Sequence, residues 1–179
     1  AVTGVTELIS VSTGGVQADQ ISDRPSISGD GTRIAYRSNA TNLVAGDTNL
    51  IRDVFLRDRS AGTTIIVSVS SSGVLSNAES TRPAISENGA FVVYRSLASN
   101  LVSGDSNLAE DVFRYEIATG TTIRVSVSSA GLEGNGDSSV PSINADGTLV
   151  VFRSIATNLV FGDTNLLEDV YLHDVKTGT

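Results

Sequence analysis

The chain has no cysteine, no methionine and no tryptophan, and among its 179 residues are one histidine, three prolines and one lysine beside eleven arginines. Without cysteine there is no disulfide framework and no thiol chemistry. A lone histidine, His173, supports no histidine metal cluster. Neither a nucleophile elbow nor a glycine-rich phosphate loop is present. The formal charge of −8 argues against nucleic acid, whose binders need a basic face, and disfavours anionic lipid. No apolar run approaches the ~20 residues of a membrane span. Methionine is missing even at position 1, which suggests a processed or trimmed product. With Ser, Thr, Gly and Asn abundant, the composition suggests a secreted or periplasmic protein.

What is present is a repeat. Pro25, Pro83 and Pro141 recur every 58 residues, as do Asp47, Asp105 and Asp163. Residues 64–121 and 122–179 match at 31 of 58 positions. Repetition on this scale marks an array or a propeller, because one unit cannot bury its own apolar faces. The chain is expected to be one segment, 1–179, of three repeats: 6–63, 64–121 and 122–179.

Within a repeat, Pro25–Ser28 is a short extended run, and Gly29-Asp30-Gly31 is a tight-turn signal. Arg33–Ser38 is a second strand, and the polar stretch Asn39–Arg52 leads to a third at Asp53–Arg57. After the turn Ser60–Thr63, a fourth strand spans Thr64–Val69. No stretch has helical periodicity. Four up-and-down strands joined by two tight turns and two long loops make one propeller blade, with both long loops at the same end. Function is expected on that loop-rich face.

The pattern Pro25-Ser26-Ile27-Ser28, Asp30-Gly31, Ile34-Ala35-Tyr36 and Asp53-Val54-Phe55 resembles the WD-like propeller repeats of TolB-type proteins, in all three units. The resemblance implies an all-β propeller acting as an interaction module, often outside the cytoplasm and sometimes beside peptidase domains. The loop between the second and third strands is longer than the family pattern.

Thr6–Val11 aligns with the fourth strand at Thr64–Val69, whereas the last repeat stops after a third strand at Asp169–His173 and Lys176–Thr179. Propellers have roughly four to eight blades. Two chains of three blades give six, so a homodimeric six-bladed ring is expected, each chain completing the other's last blade by strand exchange. The alternative is a piece of a longer propeller, or one closed by other chains, because Thr3-Gly4 and Thr177-Gly178 fall in the same turn.

The long loop carries the candidate site: Asp47, Asn49 and Asp53, repeated as Asp105, Asn107, Asp111 and Asp163, Asn165, Asp169. Asp-x-Asn with a carboxylate four residues on offers oxygens to a hard cation, and calcium is the candidate ion. Asp and Asn also stabilise turns through backbone amides with no metal. Arg37, Arg95 and Arg153 need partners between blades, expected in Asp53, Asp111 and Asp169. Tyr36, Tyr94, Phe152, Phe55, Phe113 and Tyr171 are expected in the core, and His173 on the surface, away from the long loops. The expected function is a non-catalytic module binding a protein or a glycan. A purely structural metal-stabilised module is the alternative, and a polysaccharide-acting enzyme a further one that symmetric repetition disfavours.

Overall fold

A computed structural model describes residues 4–178, and among these every regular element is a strand. The order is β1 (Ser22–Ile27), β2 (Arg33–Ser38), β3 (Asp53–Asp58), β4 (Thr63–Ile66), β5 (Ser80–Ile85), β6 (Phe91–Ser96), β7 (Asp111–Glu116), β8 (Thr121–Arg124), β9 (Ser138–Ile143), β10 (Leu149–Ser154) and β11 (Asp169–Asp174). They form three antiparallel sheets, β1-β2-β3-β4, β5-β6-β7-β8 and β9-β10-β11. Alternating strand direction sets the tight turns at one end and the long loops at the other.

The sequence places β2 to the residue, but β1 starts three residues before its proline. Asp23 pairs with Arg37 and Ser26 with Ala35, so Arg24 and Pro25 bulge out of the ladder. Proline cannot donate to a ladder, and a bulge is where a strand tolerates it. The same bulge precedes Pro83 and Pro141. β4 stops at Ile66 instead of Val69: the Val67 amide still bonds the Val54 carbonyl, but at Ser68 a side-chain hydroxyl replaces the backbone as the partner of the Val54 amide and the chain crosses to the next blade. There a small hairpin closes, Val69 opposite Leu75, repeated at Val11–Gln17 and Val127–Glu133. Residues 4–10 form no strand, and of the turn match between Thr3-Gly4 and Thr177-Gly178, Thr3 lies outside the described residues.

Blades pack face to face. Ala35, Val54, Leu56 and Val67 of the first blade share a cluster with Ile85, Val92, Tyr94 and Phe113 of the second. Val93, Val112 and Val125 of the second meet Val150 and Phe152 of the third. Tyr36–Phe55, Tyr94–Phe113 and Phe152–Tyr171 stack at 5.9–6.0 Å between ring centroids, so the six aromatics line the core as expected. Tyr171 is half-exposed because its blade has no outer strand. Gly147, in the turn before β10, is held at φ +78°, and a Cβ there would fall 2.0 Å from Phe91 of the second blade. The close approach between turn and neighbouring blade admits no side chain.

His173 is buried, contrary to the expectation of exposure, and burial pushes its imidazole pKa down. It lies one pair from the tight-turn end of the β10–β11 ladder, opposite Val150.

Candidate functional site

The long loops are tied to the crossover hairpins by asparagine. Asn42 Nδ2 donates to the Gln17 carbonyl at 2.8 Å, Asn100 to Leu75 at 2.8 Å and Asn158 to Glu133 at 2.9 Å. The second asparagine of each loop serves its own turn: the Asn49, Asn107 and Asn165 Oδ1 atoms accept from the amides of Ile51, Ala109 and Leu167. The residue between, Leu50, Leu108 or Leu166, is left-handed at φ 57–59° and exposed.

Asp53 and Asp111 open β3 and β7, both fully buried. The loop that precedes each strand folds back, so Asp47 stands near Asp53, and Asp105 near Asp111. In the first blade, Asp53 Oδ1 accepts from Ser68 Oγ at 2.6 Å and Ser76 Oγ at 2.8 Å, while Oδ2 is buried with no hydrogen-bond partner. Asn49 Nδ2 approaches this carboxylate and lowers its pKa, but its hydrogen bond goes to the Ser76 carbonyl at 3.2 Å. Burial dominates and raises the Asp53 pKa. Asp47 is pushed up to about 6 by burial and by the charge of Asp53.

The second blade differs. Asp111 Oδ1 accepts from Ser126 Oγ, and Oδ2 accepts from Asn107 Nδ2 and Arg124 Nη1, each at 3.1 Å. Arg124 Nη1 also lies 3.3 Å from Asp105 and 2.8 Å from Glu133. Arg124 and Glu133 stand where the first blade has Ile66 and Leu75, 58 residues earlier. In the third blade Asn165 Nδ2 bonds Asp169 at 2.8 Å and the Tyr171 hydroxyl donates to Asp163, with no fourth strand to cover them. Thus each predicted triplet is brought together, but with three different surroundings. Among the described residues no three His, Cys, Asp or Glu side chains are grouped as a metal-ligand set.

The β2-type arginines do not pair with Asp53, Asp111 or Asp169. Arg37 takes Asp23, Arg95 takes Glu110, and Arg153 takes Glu168 at 2.9 Å. In the ladders Arg37, Arg95 and Arg153 lie opposite Val54, Val112 and Val170, one residue from the aspartates, and successive side chains of a strand point to opposite faces of the sheet. Ser68, Ser76, Arg124 and Glu133 were not singled out from sequence. The signal available was the motif Val-Ser-Val at 67–69 and 125–127, whose serine recurs at the end of a fourth strand.

No family model matches the sequence, and neither does any curated protein. Solved structures do match. TolB from Acinetobacter baumannii superposes with a TM-score of 0.53 at 17% identity, over 89% of this chain and 31% of that one. The putative TolB from Agrobacterium tumefaciens gives 0.55 at 18% identity, over 89% and 47%. The β-propeller domain of the trilobed protease from Pyrococcus furiosus gives 0.53 at 13% identity, over 89% and 40%. The fold is a TolB-like β-propeller. The chain spans less than half the length of these propeller proteins. Among the described residues no helix is long and apolar enough to cross a membrane.

Proposed function

We propose that this chain is a non-catalytic propeller segment that closes into a six-bladed ring with a second copy of itself, and that the long-loop face binds another protein or a glycan. One observation carries ring closure. Val54 and Val112 are 0% exposed between blades, whereas their equivalent on β11, Val170, is 71% exposed; Leu56 is 2% exposed and its equivalent Leu172 is 59%. An apolar blade face and a strand edge are left open together, a combination that soluble sheets cover.

The chain holds a matching element. Ile9 packs on Tyr36 and Phe55 as Val67 packs on the second blade, so residues 5–11 lie where a preceding blade would end its fourth strand. Val5 and Leu8 are exposed there. Ser10 aligns with Ser68 and Ser126, whose hydroxyls hold Asp53 and Asp111. Supplied by a second copy, Ser10 would reach Asp169 and the ladder on β11 would be complete. The contact is heterologous and, made twice, returns to its start.

The repeated left-handed leucines support a binding role for the loops: strained, exposed apolar side chains at three equivalent positions suit a multivalent surface. Calcium belongs to this reading at Asp47 and Asp53, where Asp53 Oδ2 is buried without a hydrogen-bond partner and Asp47 is near enough to feel the Asp53 charge. Its role there is to hold the loop. The composition goes with work outside the cytoplasm.

Solution mass tests closure. A dimer of about 37 kDa, twice 18.5 kDa, is expected, and Val170→Asp should reduce it to the single chain. A monomeric parent protein, or an open series of larger oligomers, sinks the ring.

A further inference from the structure

The innermost strands carry a feature that ring closure does not require. β1, β5 and β9 pack around the axis, and each bulges before its proline. The bulge residues, Arg24, Arg82 and Val140, are left-handed at φ 50–53°. A residue before proline ordinarily takes extended backbone, so all three are strained. Such strain clusters at functional sites, and a bulge re-aims its side chain away from the ladder.

Two of the three are arginines. Among the described residues neither Arg24 nor Arg82 makes a hydrogen bond or an ion pair. Arg37, Arg95 and Arg153 stand near them on β2, β6 and β10, toward the long-loop end, each engaged by Asp23, Glu110 or Glu168. Of the other acids nearby, Glu79 is engaged by Arg52 at 3.3 Å and Asp137 accepts from the Glu110 amide at 2.9 Å. Burial and then the charges of Arg24, Arg95, Arg153 and Arg37 lower the Arg82 pKa. Guanidinium groups from three blades lie close enough to repel one another, in a chain whose net charge is −8, and Arg24 and Arg82 have no ion pair of their own, although Asp23 attracts the one and Glu110 the other.

We propose that Arg24 and Arg82, on the axial surface at the long-loop mouth, form a binding site for a ligand with at least two oxyanion groups, such as a polycarboxylate or an oligophosphate. The guanidinium fork matches two oxygens of a carboxylate or a phosphate alike. Equivalent positions on adjacent blades ask for two such groups on one ligand. The site lies within one chain and does not depend on ring closure.

Calorimetric titration at low ionic strength with citrate and with tripolyphosphate tests it. The parent protein should bind at least one, and which one identifies the source of the oxyanion. Arg82→Ala should weaken binding roughly tenfold or more, the cost of one charge-assisted contact. The double variant Arg24→Ala/Arg82→Ala should abolish it. Lys176→Ala, beyond β11 at the tight-turn end, should leave it unchanged. Melting temperature separates binding from folding: removing Arg82 relieves like-charge repulsion, so it should hold or rise. No binding of either anion by the parent protein, or binding by the double variant equal to the parent's, overturns the site.

Discussion

The acidic pockets of the first and second blades have the same backbone and different chemistry. The first holds Asp47 and Asp53 beside Ile66 and Leu75; the second holds Asp105 and Asp111 beside Arg124 and Glu133. Their formal charge is equal: two aspartates give −2, and three carboxylates with one guanidinium also give −2. The arrangement differs. Arg124 gives Asp111 Oδ2 a donor, whereas the corresponding oxygen of Asp53 has none. A repeat therefore conserves a geometry without conserving how its charge is satisfied, and a buried carboxylate pair is costly unless something positive or a proton joins it.

The largest effect should come from making the second pocket like the first. Arg124→Ile strands three carboxylates, and breaking a buried charge group costs about 3–5 kcal/mol. Urea denaturation at neutral pH measures it, and a loss below about 1 kcal/mol would mean that solvent already screens the group.

The reverse exchange comes next. Calcium in excess should stabilise the parent protein by about 1–3 kcal/mol, a few degrees in melting temperature. Asp47→Ala should abolish that response. So should Ile66→Arg with Leu75→Glu, which transplants the second pocket's own cation. Insensitivity of the parent protein to both calcium and chelator removes the ion.

Smaller still is the serine contrast. Ser76 donates to Asp53, but its equivalent Gly134 cannot donate to Asp111. Ser76→Gly should cost about 1 kcal/mol, and Gly134→Ser should gain less because Arg124 already serves Asp111.

Acidity should separate the pockets least. Asp47 is held at about 6, above its unfolded value of 3.8, so the folded state keeps a proton that the unfolded chain releases. Its contribution therefore falls as pH rises from about 4 to about 6, by roughly 1 kcal/mol once solvent screening is allowed for. Asp58, held at about 2 by Ser60, the Ala61 amide and Arg33, acts in the opposite sense below pH 4. Stability without calcium should thus be greatest near pH 4–5, and Asp47→Asn should lessen the slope above it, Asp105, also pushed up to about 6 by burial and by Asp111, still contributing. A parent protein that grows steadily more stable up to pH 7 contradicts the raised carboxylate.

Much of this was legible beforehand for a simple reason. Arg33–Ser38 is a short apolar run, Ile34-Ala35-Tyr36, closed by Arg-Ser beside a glycine turn, and three copies at one spacing leave little room for another register. The bulge at Arg24-Pro25 was hidden because a proline ordinarily marks a strand's start. The partners of Arg37 and the burial of His173 were hidden because both depend on which strand lies alongside. The nine loop residues were found by their spacing, but Ser68, Ser76, Arg124 and Glu133 come from another part of the repeat and declare themselves only as neighbours.

Sequence alone determined that there are three like units of four strand segments, which ends of them carry long loops, and which acids recur. Periodicity and turn chemistry are local, so a string of residues can show them. Only the tertiary structure decided that Asp53 lacks a partner while Asp111 has one, that Val170 lies bare where Val54 is covered, and that two arginines at strained bulges share one surface. Charge satisfaction and burial belong to groups far apart in the chain, and folding alone brings them within reach of each other.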